Sequence, residues 1–77
     1  MPRYFFHVSD GAEFPDDVGD VLASPREAKA RAIQASGELL RDRGMTFWTG
    51  TEWRMHVVDE LGQTVCRLAF TAQDGAA

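Results

Sequence analysis

"EWRMHVVDELGQTVCRLAF", residues 52 to 70, is the stretch that decides the fold. In its first half, Trp53, Met55 and Val57 alternate with Arg54, His56 and Val58. That is the two-residue period of a strand with one apolar side. "DELG", residues 59 to 62, has turn chemistry, with an acid first and a glycine last. "QTVCRLAF", residues 63 to 70, then reads as the return strand. Only a few residues join the two strands, so they must run antiparallel. By alternation, Thr64, Cys66, Leu68 and Phe70 share the face of Trp53, while Val65, Arg67 and Ala69 share that of His56.

The start of the chain divides in the same way. In "RYFFHV", residues 3 to 8, Tyr4, Phe6 and Val8 oppose Arg3, Phe5 and His7. "SDGAEFPDDVGDVLA", residues 9 to 23, follows. Ser9-Asp10-Gly11 is a turn signal, and Pro15, Gly19 and the acids between them predict a bent, solvated segment. Val18, Val21 and Leu22 are expected to form a short second strand that covers an edge. "SPRE", residues 24 to 27, is a helix start: Ser24 as N-cap, Pro25 at the first helical position and Glu27 closing a capping box. The helix is expected to run to about Arg43 and stop at Gly44 in a left-handed cap. Its apolar stripe is Ala28, Ala32, Ala35, Ser36, Leu39 and Leu40, with Ile33 at the margin. Small side chains let a helix approach a sheet closely, so the sheet must supply the bulk. "GMTFWTGT", residues 44 to 51, reads as a loop.

These elements predict an α+β fold of two layers. One helix packs on a small, mainly antiparallel sheet of three to four strands, in the order β-β-α-β-β with the second strand short. A single domain is expected over residues 1–70, with a flexible tail over 71–77. The 77 residues leave no room for a second domain. A chain this short buries only about 60% of its unfolded surface, so its five Phe, two Trp and one Tyr must do much of the burying.

The net charge of −4 disfavours non-specific attraction to phosphate or anionic lipid. Cys66 is the single cysteine, so no internal disulfide can form. No signal-peptide pattern and no membrane-length apolar run is visible, which makes the cytoplasm the expected location.

Alternation collects Arg3, Phe5, His7, Arg54, His56 and Arg67 on the sheet face away from the helix, together with Val58 and Val65. Both histidines are therefore expected to be solvent-accessible. His7 and His56 could be cross-strand neighbours, but alternation puts Cys66 on the other face and no acid in the strands joins them. A zinc set of three or four ligands is thus missing. The acids Asp10, Glu13, Asp16, Asp17 and Asp20 lack the spacing of a calcium loop. Cys66 is expected to be an inert core thiol, because Arg67 points away from it. Ser9 and His7 have no strained nucleophile elbow beside them, and the glycines form no phosphate loop. No catalytic residue, metal or cofactor is assigned.

"MPRYFFHV", "PDDVG", the "A..RA" helix and "W-R-x-x-V-x-D-E-x-G", here Trp53 to Gly62, together resemble a family of small alphaproteobacterial proteins, a domain of unknown function. The similarity runs from Met1 to about Phe70. It implies a stand-alone cytoplasmic bacterial protein of α+β fold and carries over no catalytic residue. Cys66 departs from the pattern, which has an aliphatic residue there.

The functional expectation is a non-catalytic protein-interaction module that uses the open sheet face, through an unknown protein partner or weak self-association. Single-stranded nucleic-acid binding through the Arg/His/Phe face is the alternative, which the overall charge disfavours. No membrane role is expected.

Overall fold

The computed structural model of the chain describes residues 1–45, 47–49 and 52–75. The order is β1 (Arg3–Ser9), β2 (Glu13–Phe14), β3 (Asp20–Val21), α1 (Pro25–Arg41), a 3₁₀ turn (Phe47–Thr49), β4 (Trp53–Val58) and β5 (Thr64–Phe70). All strand pairings are antiparallel, and the sheet runs β2-β1-β4-β5 with β3 also on β1. This is the expected α+β architecture, with one difference in count. Among the described residues there are five strands where three to four were expected, and the order is β-β-β-α-β-β, because Glu13–Phe14 in the expected bent segment adds a strand ahead of the expected second one, which is reduced to Asp20–Val21. Glu13 and Phe14 pair with Ser9 and Val8, whereas Asp20 and Val21 pair with Tyr4 and Arg3. Pro15 has no N–H to continue the ladder, so the chain leaves β1 there and rejoins it five residues later. Val18, expected in the strand, lies in this excursion and is exposed.

The core lies between α1 and the sheet. Ala28, Ala32 and Ser36 are buried on the helix side, with Tyr4, Trp53, Met55 and Val57 on the sheet side. Phe6, Val8, Leu22, Ala35, Leu40, Cys66 and Leu68 pack around them. The Ser36 hydroxyl donates to the Ala32 carbonyl at 2.7 Å, so this buried polar side chain is satisfied. Leu39, expected in the stripe, is exposed, and in the last helical turn it is Leu40 that packs on the core.

Both ends of the helix have identifiable chemistry. The Glu27 N–H donates to Ser24 Oγ at 3.3 Å, and Glu27 Oε2 accepts from the Ala23 N–H at 3.0 Å. Ser24 thus caps the helix as expected, while the Glu27 carboxylate closes the box one residue earlier, on the Ala23 N–H and not on that of Ser24. Ser24→Ala should therefore cost about 1 kcal/mol in chemical denaturation. An unchanged midpoint would mean that Ser24 does not cap the helix. The C-terminus differs from expectation. The helix ends at Arg41 with Asp42 as a right-handed cap, and Gly44 does not adopt a positive φ. The Arg43 N–H donates to the Leu40 carbonyl and the Phe47 N–H to the Arg43 carbonyl, so a tightened last turn replaces the glycine cap. The loop expected over 44–51 holds the 3₁₀ turn, and its positions 46, 50 and 51 lie outside the described residues, as do 76 and 77 of the expected tail.

In the β4–β5 turn the Gly62 N–H donates to the Asp59 carbonyl and Gly62 has φ +79°. The Asp59 carboxylate accepts from the Leu61 and Gln63 N–H groups, each at 2.9 Å. A register shift follows, with Val57 opposite Cys66 but Val58 opposite Thr64. This bulge leaves Val65 unpaired and turns it toward the core beside Cys66. Alternation therefore misplaces two residues. Val65 packs on the core side, and Thr64 stands with His56 on the open face.

Candidate functional site

The open face is built around a row of directly opposed residues. His7 on β1 faces His56 on β4, and His56 faces Arg67 on β5. Beside this row, Ser9 faces Arg54 and Arg54 faces Ala69, while Phe5 faces Val58. Strands lie about 4.8 Å apart, so the three side chains of the row are immediate neighbours. A groove of ≈ 750 Å³ opens along them. His7, Arg54, His56 and Arg67 line it, and Glu13 and Glu52 supply acids that alternation within the long strands did not reveal.

The six residues singled out in the sequence do not all meet in that groove. Arg3 lies at the far end of β1, where its guanidinium donates to the Val18 carbonyl at 2.7 Å. Its backbone N–H donates to Glu60 of the β4–β5 turn at 2.8 Å. Arg3 thus clamps the bent segment and the hairpin to β1. Phe5 is half-buried and stacks parallel to His7, with ring centroids 6.5 Å apart. Arg54 is held by Glu52, which neutralises it. Arg67 is exposed and makes no ion pair among the described residues.

The histidines lie on the open face, are half-buried and are hydrogen-bonded. His7 Nδ1 accepts from the Asp16 N–H at 3.0 Å. That bond requires a lone pair on Nδ1, so the neutral ring carries its proton on Nε2. His56 Nε2 lies 2.8 Å from Thr64 Oγ1. Burial pushes the His56 pKa below 6.5, and the neighbouring Arg67 charge and His7 push it further the same way.

Asp16 is the residue that sequence reasoning passed over as part of a solvated acidic loop. It accepts from the Phe6 N–H at 3.1 Å with one carboxylate oxygen, and from the Val18 and Gly19 N–H groups at 3.0 Å with the other. The Phe6 N–H lies on the edge of β1 between the stretches covered by β2 and β3. The carboxylate therefore substitutes there for the missing ladder carbonyl, while the Asp16 N–H holds His7. Partial burial raises the Asp16 pKa, but the bonds from Gly19, Phe6 and Val18 and the proximity of His7 outweigh it, so the net shift is below 3.8. The visible signal was "P-D-D-V-G": an Asp after Pro, with Gly three residues on, is an Asx-turn pattern.

Asp16→Ala should cost about 2 kcal/mol, because charge-assisted acceptors are lost and the part-buried Phe6 N–H is orphaned. The lowered pKa means that the native state binds fewer protons than the unfolded chain. The stabilisation is thus present above 3.8 and is lost as pH falls through the depressed native value. Denaturation in acid should converge for wild type and variant, and parallel curves would contradict this role.

Cys66 packs against the core as expected, and burial pushes its thiol pKa up despite nearby Lys29. No cluster of three metal-ligating side chains occurs among the described residues, and no helix among them is long and apolar enough to cross a membrane.

No curated protein and no solved structure matches the chain. A family model does, over residues 3–71, from the first residue of β1 to just past the end of β5. With its whole sheet and helix inside that match, the chain belongs to the family described as Domain of unknown function (DUF6894).

Proposed function

We propose that the protein is a small, non-catalytic, cytoplasmic interaction module that docks a protein partner on its open sheet face. One observation carries this reading. Helix α1 covers one side of the sheet, while the other keeps a groove of ≈ 750 Å³, with half-buried Phe5 stacked on the groove residue His7 and half-buried Val58 opposite Phe5. Apolar side chains around a concave surface with a polar rim form the common anatomy of a docking site. Single-stranded nucleic acid fits less well. Arg54 is neutralised, which leaves Arg67 as the groove's unpaired cation among the described residues, a single charge against a backbone that carries one at every nucleotide.

Ala69 is exposed on this face and lines the groove, so Ala69→Trp fills the groove without touching the core. Affinity capture from nuclease-treated cell extract should recover defined proteins with wild type and lose them with Ala69→Trp. Ile33→Asp, on the exposed side of the helix, should keep them. Equal recovery with Ala69→Trp and wild type would overturn the reading, and so would loss of every partner on nuclease treatment.

A further inference from the structure

We propose that the row His7–His56–Arg67 receives a single carboxylate side chain of the protein segment that docks on the open face. This rests on the reading of that face as a protein-docking site and specifies its ligand chemistry. Arg3 is bonded to the Val18 carbonyl and Arg54 is held by Glu52. Arg67 lines the groove without an ion pair among the described residues. Its planar fork of five N–H donors matches a carboxylate in a bidentate manner.

The neighbours of Arg67 add donors in the same place. His7 spends its Nδ1 lone pair on the Asp16 N–H, so its Nε2–H is left to donate, and no acceptor for it occurs among the described residues. His56 stands between the two, opposite both. The nearby acids are occupied: Glu52 with Arg54, and Glu13 with the Ser9 hydroxyl at 3.4 Å. Two outward donors therefore flank a histidine whose protonation Arg67 opposes. An incoming carboxylate supplies the missing acceptor and offsets the Arg67 charge, which together with burial disfavours protonation of His56. Binding should then take up a proton and strengthen as pH falls.

The test is a titration of isotope-labelled protein by NMR, at low ionic strength, with a tetraglutamate peptide blocked at both ends. Shifts should concentrate at His7, His56 and Arg67. The affinity should rise several-fold from about pH 8 to about pH 6. Arg67→Gln should weaken binding about tenfold, and Arg26→Gln, exposed in the first helical turn, should leave it unchanged. An absence of shifts on the open face, equal binding by Arg67→Gln, or tighter binding of an oligothymidylate would overturn the proposal. If the peptide fails while Ala69→Trp still abolishes protein capture, the acidic-ligand inference alone falls. If Ala69→Trp retains capture, the docking reading falls with it.

Discussion

Replacing Trp53 by alanine is expected to destabilise the protein by about 3–5 kcal/mol. Trp53 is 1% exposed, the largest side chain in the core, and its ring meets Phe70 edge-on at 5.8 Å and 63°. The helix opposite offers only Ala28, Ala32 and Ser36 as buried residues, none large enough to collapse into the vacated space. A domain of this size has a total stability of roughly 5–15 kcal/mol, so the variant should be near the edge of folding. Urea denaturation followed by circular dichroism reads the effect. A loss below about 1 kcal/mol would mean that the sheet packs through its other face.

Gly19→Ala should cost about 2–5 kcal/mol, although the residue lies outside every helix and strand. Gly19 has φ +73°, a conformation an alanine adopts only with strain. A Cβ there would also lie 2.6 Å from the Tyr4 carbonyl oxygen and 3.0 Å from Phe5 Cδ1. The obstacle at 2.6 Å is backbone of β1, which cannot swing aside. The loop would have to lift, which breaks the Gly19 and Val18 bonds to Asp16 and loosens the anchor of His7. Amide shifts of His7 and Phe6 should move together with the loss of stability. An alanine variant with wild-type stability and unchanged shifts would show that the bent segment does not pack on β1 as described.

These two residues mark the boundary of what the sequence made legible. Strict alternation in β1 and β4 placed Tyr4, Phe6, Trp53, Met55 and Val57 on the core side and His7 and His56 on the other. Strand periodicity follows from covalent geometry alone, so a sequence displays it directly. In β5 the same rule failed at Val65, because a bulge inserts a residue without changing composition. Adjacent apolar Val65 and Cys66 were its only trace. The helix start was readable since Ser24, Pro25 and Glu27 act locally, whereas the helix end was set by backbone bonds from Arg43 and Phe47 that no residue type announces.

In the groove, the pairing of His7 with His56 was anticipated, yet their hydrogen bonds to Asp16 and Thr64 were not. Both partners are brought in by irregular chain, one by the excursion between β2 and β3 and the other by the bulge. Arg3 and Arg54 looked equivalent to Arg67 on parity. Partners outside the strand pattern, the Val18 carbonyl and Glu52, distinguish them. Parity gives the face a side chain occupies, but not which acceptor reaches it first.

Whether a protein docks on the open face can be read by photo-crosslinking in living cells, with a benzophenone amino acid placed at Phe5 on that face or at Ile33 on the outer side of α1. Phe5 is aromatic and half-buried beside the groove, and Ile33 is 62% exposed, so either substitution preserves the fold. A defined protein adduct is expected from position 5 and none from position 33. Adducts from position 33 alone, or a nucleic-acid adduct from position 5, would contradict it.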